Sequence, residues 1–130
     1  MSYFSEDELR CQCGCGVYKF DEGMLKVINL IREKVGQPLP ISSGYRCLKH
    51  PIEAAKIASG RSVKRYGAHT TGRAVDIAVR GKIALQVIQE AQKPYASIQR
   101  IGINQKGDRR FIHLDNADEI GYPSPAIWSY

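Results

Sequence analysis

No stretch of this chain is apolar for long enough to span a bilayer, which takes about 20 consecutive residues, so a membrane-inserted helix is not expected. The opening Met1-Ser2-Tyr3-Phe4-Ser5-Glu6-Asp7-Glu8 lacks both the basic start and the apolar stretch of a secretory signal. The expectation is a protein made in the cytoplasm that reaches any site outside it after release or on a virion. Internal repeats and low-complexity runs are missing too, and 130 residues suit one domain, residues 1–130, with a core that needs no disulfide. A nucleic-acid module is also missing. The net charge of +6 and pI near 9.3 favour a polyanionic partner, nucleic acid or an anionic cell wall. The basic residues are scattered, however, with only Lys64-Arg65 and Arg109-Arg110 as close pairs, and no known nucleic-acid module interleaves aromatics with them. Specific nucleic-acid binding is therefore not expected, and a soluble monomer is.

What the chain does contain is Gly67-Ala68-His69-Thr70-Thr71-Gly72-Arg73-Ala74-Val75-Asp76, answered near its end by Phe111-Ile112-His113-Leu114-Asp115. Two histidines and a carboxylate leave a tetrahedral zinc with a fourth position for water, the arrangement of a reactive metal rather than a structural one. Residues 73 to 79 alternate as a strand, with Val75, Ile77 and Val79 on one face and Ala74, Asp76 and Ala78 on the other. In the second segment Phe111, His113 and Asp115 share a face. Asp115 is thus the first candidate for a general base, with orientation of His113 as its competing role and Asp108 as a poorer substitute.

Cys11-Gln12-Cys13-Gly14-Cys15 and the distant Cys47 admit three readings, in this order: free thiols, a disulfide from Cys47 to one of the three, or a second metal. The spacing is not that of a zinc ribbon or finger, and Gly14 and Gly16 mark a turn.

Elsewhere the signals are conventional. Ser5 to Leu9 reads as a short capped helix. Asp21 caps a longer one whose apolar stripe of Met24, Leu25, Val27, Ile28, Ile31 and Val35 ends at Gly36. Residues 39–43 form a strand that enters a Gly44 turn and delivers Tyr45 and Arg46, whose rigid fork of donors suits a carboxylate or a salt bridge. His50 precedes a helical stretch, residues 52–58, and is taken as a non-ligand. Residues 59–66 read as a loop lining a cleft. A helix follows over 82–92, then strands over 97–103 and 110–114 joined as a hairpin, then a tail lying across the surface with Trp128 as anchor. Without a regular strand-helix repeat, the fold class is α+β: a small antiparallel sheet carrying the site, with helices packed on one side.

With Ser43-Gly44-Tyr45-Arg46-Cys47 and the terminal Ile127-Trp128-Ser129-Tyr130, these motifs stand in an order that resembles the zinc D-alanyl-D-alanine carboxypeptidases and L-alanyl-D-glutamate endopeptidases, in their short phage and prophage branch. The resemblance covers nearly the whole chain and implies a hedgehog/DD-peptidase-like fold. It also implies Zn2+ on His69, Asp76 and His113, a substrate carboxylate on Arg46, help from Tyr45 or Tyr66, and cleavage of the peptidoglycan stem peptide as an endolysin would perform it. The chain departs from the pattern at Gly67, where relatives carry serine, at Pro51, where an asparagine is common, and at Arg110 and Phe111, where relatives place an acid or a histidine as base. A non-catalytic, zinc-containing wall-binding or virion structural domain of the same fold is the competing expectation.

Overall fold

A computed structural model describes residues 2–58 and 67–130. The expected loop over 59–66, with Tyr66, lies outside the described residues. Helix α1, Glu6–Leu9, opens on a capping box in which Ser5 Oγ accepts from Glu8 N while the Glu8 carboxylate accepts from Ser5 N. Helix α2, Glu22–Val35, is capped by the Asp21 carboxylate on Met24 N at 2.8 Å and stopped by Gly36 in the left-handed conformation. The remaining elements are β1, Ile41–Ser43; α3, Pro51–Ala58; a 3-10 turn, Ala68–Thr71; β2, Ala74–Ile77; α4, Gly81–Ala91; β3, Arg100–Asn104; β4, Phe111–Asp115; a second 3-10 turn, Ala117–Ile120; and β5, Ala126–Ser129.

The strands form one sheet in the order β1-β2-β4-β3-β5. Its two faces have opposite chemistry because side chains alternate across a strand. Val75 and Ile77 of β2, Ile101 of β3, and Ile112 and Leu114 of β4 face Met24, Ile28 and Ile31 of α2 and Ala84, Val87 and Ala91 of α4 in one apolar core. The other face carries Asp76, His113 and Asp115, so burying one face sets the orientation of every polar group on the other.

Two expectations are corrected. The sheet is mixed, not purely antiparallel: the tail adds β5 parallel to β3, anchored where Ala126 N donates to Gln99 O at 2.8 Å and Arg100 Nη1 to Pro123 O at 2.7 Å. The free edge of β3 thereby gains a partner, and the tail lies on the surface as an ordered edge strand, with Ile127 still exposed. The helices also do not all lie on one side. α2 and α4 cover the apolar face, whereas α3 sends Glu53 toward the polar one.

Candidate metal centre

Three short pieces of chain converge. Asp76 and His113 are direct cross-strand partners on β2 and β4, and His69 comes from the 3-10 turn just before β2. Gly72 closes that turn at φ +77°, and a side chain there would meet Lys19 O at 2.7 Å, so both the conformation and the space call for glycine. His69 Nε2 lies 3.2 Å and His113 Nδ1 3.0 Å from the same atom, Asp76 Oδ1. All three residues are at most 5 % exposed.

The outer nitrogen of each ring fixes its tautomer. His69 Nδ1 donates to Gly44 O at 2.7 Å, and His113 Nε2 donates to Asp115 Oδ2 at 2.6 Å. The inner nitrogens, His69 Nε2 and His113 Nδ1, then present lone pairs to a carboxylate oxygen, three acceptors with no proton among them. Such a set calls for positive charge at its centre, a metal ion or in its place a proton on an inner nitrogen, and three ligand atoms converging on one point are the fit expected of a zinc site with oriented ligands.

Protonation follows the same geometry. Burial disfavours the charged form of His69 and lowers its pKa despite Asp76 nearby, which keeps the ring neutral as a ligand must be. Burial acts against a charged Asp76 too, but His69 and His113 overcome it and hold the carboxyl well below the usual range. For His113 burial is outweighed by hydrogen bonds to Asp115 and Asp76, and its pKa rises.

Sequence reasoning places Asp115 on the reactive side; the structure puts it behind His113. It is fully buried, with Oδ2 on His113 Nε2 and Oδ1 accepting from Arg100 Nε at 2.8 Å and Ala117 N at 3.0 Å. Sharing a strand face brought it to the ring, but to the ring's outer edge. Arg46 likewise points inward. It is 7 % exposed, with Nε on Ser43 Oγ at 3.0 Å, Nη1 on Glu53 Oε2 at 3.0 Å and Nη2 on Asp76 Oδ2 at 3.3 Å. Its fork holds protein carboxylates instead of projecting free into the cleft.

Glu53 is the group that the sequence hides. With Lys56 three residues on, it reads as a surface pair on a helix; in the fold it is 2 % exposed and completes a chain from Lys56 through Arg46 to Asp76. It also accounts for Gly67. A Cβ there would come within 2.6 Å of Glu53 Oε1 and 3.1 Å of Lys56 Nζ, so the Glu53 carboxylate fills the space that a side chain at position 67 would need. Tyr45 stands apart from the metal ligands: burial raises its pKa, and its other perturbers are Cys47, Cys11 and Cys15. His50 stays outside the cluster, its Nδ1 accepting from Ile52 N at 3.2 Å at the start of α3.

Two cavities meet at Asp76. One, of about 440 Å³, is lined by His69, Asp76, His113, Phe111, Trp128 and Tyr130. The other, of about 650 Å³, runs past Ser43, His50, Arg80, Asp108, Arg109 and Arg110, and both include Arg46, Ile52, Asp76 and Phe111. Trp128 does more than anchor the tail. Its indole lies over Gly102, where a Cβ would come within 2.5 Å of Nε1, and its ring centroid is 5.1 Å from that of His113.

Three buried residues with ligand atoms at one point, opening onto a cavity, form a candidate centre for a single metal ion with room beside it for a substrate. The chain belongs to the Peptidase M15 family, whose model matches residues 2–115. It is therefore a zinc-dependent metallopeptidase of a family that acts on peptidoglycan. No curated protein and no solved structure matches the chain significantly. Among the described residues no helix is long and apolar enough to cross a membrane.

Proposed function

We propose that this peptidase cuts an internal amide of the stem peptide, as an L-alanyl-D-glutamate endopeptidase does, instead of trimming a terminal D-alanine. The observation that carries the reading is the pair of cavities joined at Asp76. Chain can run away from the metal ligands in both directions, whereas removal of one terminal residue needs a pocket on one side only. The family resemblance supplies the setting, a phage or prophage enzyme acting in lysis.

Zinc held by His69 Nε2, Asp76 Oδ1 and His113 Nδ1 would lower the pKa of a water toward about 7 and polarise the scissile carbonyl. The protein's own groups prepare for this. Asp115 keeps the His113 proton on Nε2, so that Nδ1 remains a ligand. Arg46 fixes the carboxylate plane of Asp76 through Oδ2 and leaves Oδ1 to the inner face. Partial burial raises the Tyr130 pKa against a hydrogen bond with Trp128 that lowers it, and the charges of Asp76 and Asp115 add to the rise. The phenol on the small cavity thus stays protonated, a donor for a developing oxyanion. On the larger cavity Arg80, Arg109 and Arg110 suit the carboxylates of the stem peptide, and Asp108 is the one carboxylate besides Asp76 among its lining residues, the second candidate for the proton acceptor after Asp115.

The test is digestion of purified peptidoglycan with and without a zinc chelator, followed by mass analysis of the soluble fragments. Chelator-sensitive release of peptides cut between L-alanine and D-glutamate is expected. Loss of one terminal D-alanine alone would move the reading to a carboxypeptidase, and wall binding without any release would move it to a non-catalytic domain.

A further inference from the structure

Cys11, Cys13, Cys15 and Cys47 lie away from the histidine and aspartate ligands and are not used by the chemistry above. All four are free thiols whose sulfurs fall within 4.8 Å of one another. The separations are 3.4 Å for Cys11 to Cys13, 3.5 Å for Cys13 to Cys47, 3.7 Å for Cys11 to Cys47 and 3.9 Å for Cys15 to Cys47. None approaches the bond length of about 2.05 Å of a disulfide. They do approach the edge of a tetrahedron of sulfurs around zinc, about 3.8 Å for a Zn–S distance of about 2.3 Å.

The loop is built to make this cluster. Gly14 and Gly16 have φ of +99° and +70°, with open space where a Cβ would stand, so they are glycine for backbone conformation and not for crowding. The turn they allow, and not the alternation of an extended strand, wraps three thiols around one point. Cys11 N donates to Val17 O at 2.9 Å and Arg10 Nη1 to Gly16 O at 2.9 Å, which closes the loop. Cys47 N donates to Cys11 Sγ at 3.4 Å, the kind of contact that supports a thiolate. Hydrophobic burial does not explain the convergence, because Cys13 and Cys15 are exposed.

We propose that these four cysteines hold a second, structural zinc. Four thiolates leave no position for water, so this ion takes no part in hydrolysis. What it does is fasten the N-terminal loop to the segment that supports the reactive metal. Cys47 follows Arg46, which holds Asp76, and two residues earlier Tyr45 N donates to Leu9 O at 2.9 Å. Gly44, whose carbonyl fixes His69, packs against the Leu9 backbone so closely that a Cβ would come within 2.6 Å of Leu9 O. The N-terminal loop and the Gly44-to-Cys47 segment are thus in backbone contact at Leu9 and bridged by sulfur at Cys11.

The experiment is elemental analysis of the full chain, purified under reductant, equilibrated with zinc and desalted. Two zinc ions per chain are expected. The His69→Ala/His113→Ala variant should keep one, and Cys15→Ser, an exposed position remote from the core, should lose one of the two while its far-ultraviolet dichroism is unchanged. Cobalt loaded into the His69→Ala/His113→Ala variant should show an intense sulfur-to-cobalt charge-transfer band, and Cys47→Ser added to it should remove that band. One zinc per chain in the wild type, disulfides by mass in place of metal, or iron in place of zinc would each overturn the proposal. A protein that keeps its cysteine zinc yet fails to digest peptidoglycan would count against the peptidase reading alone.

Discussion

Asp115 and Arg46 show how a residue's worth depends on what lies behind it. Asp115→Asn removes the acceptor that keeps His113 in its ligand tautomer. Zinc affinity, measured by competition with a chelator, is expected to fall about 10–100-fold, while turnover at saturating zinc stays near wild type. A loss of about 10²–10⁴-fold in kcat with zinc affinity intact would instead make Asp115 the general base. For Arg46→Lys the reading has changed with the geometry. A free fork in the cleft would touch KM alone, whereas the observed fork bonds Ser43, Glu53 and Asp76, three partners that one ammonium cannot satisfy in those directions. The expected result is a lower melting temperature and weaker zinc binding, at a cost on the order of 1.5–3 kcal/mol for a charge-assisted bond. A change in KM with zinc affinity and stability untouched would return Arg46 to the substrate.

At the scale of elements, the ligand set was legible because it depends on local rules. Alternation along β2 and β4 puts Asp76 and His113 on the polar face, and a glycine turn places His69 beside them. Glu53 and Trp128 were not legible, since their positions depend on contacts between distant pieces: α3 folding over the polar face, and a tail without periodicity pairing with a strand some 25 residues earlier. The two roles open to Asp115, base or support of His113, could not be separated in the sequence for a related reason: strand alternation tells which face a side chain takes but not which edge of a neighbouring ring it meets. The contact between β3 and β5 yields its own prediction. Gly102 leaves room for the Trp128 indole, and the methyl of Gly102→Ala would come within 2.5 Å of that ring, whose rigid plane has to move. Trp128 should then leave His113, and the site should open to water. Tryptophan fluorescence is expected to shift to the red and kcat/KM to fall about tenfold. Unchanged fluorescence and activity would show that the indole does not shape the site.

The whole molecule carries a charge of +6, and part of that charge lines the larger cavity proposed to take substrate, at Arg80, Arg109 and Arg110. Positive charge spread over a surface raises the rate of encounter with a polyanion, and salt weakens it as the screening length shrinks. An anionic wall extends far beyond the cavity and senses the net charge, whereas a short muropeptide senses only the groups it touches. Raising ionic strength from about 0.05 to about 0.5 M should therefore lower the rate on intact wall much more than kcat/KM on a soluble muropeptide. Equal loss on both substrates would put the whole electrostatic effect in the cavity's own charges, Arg80, Arg109 and Arg110 foremost. Salt independence on both would reduce the positive charge to an aid to solubility.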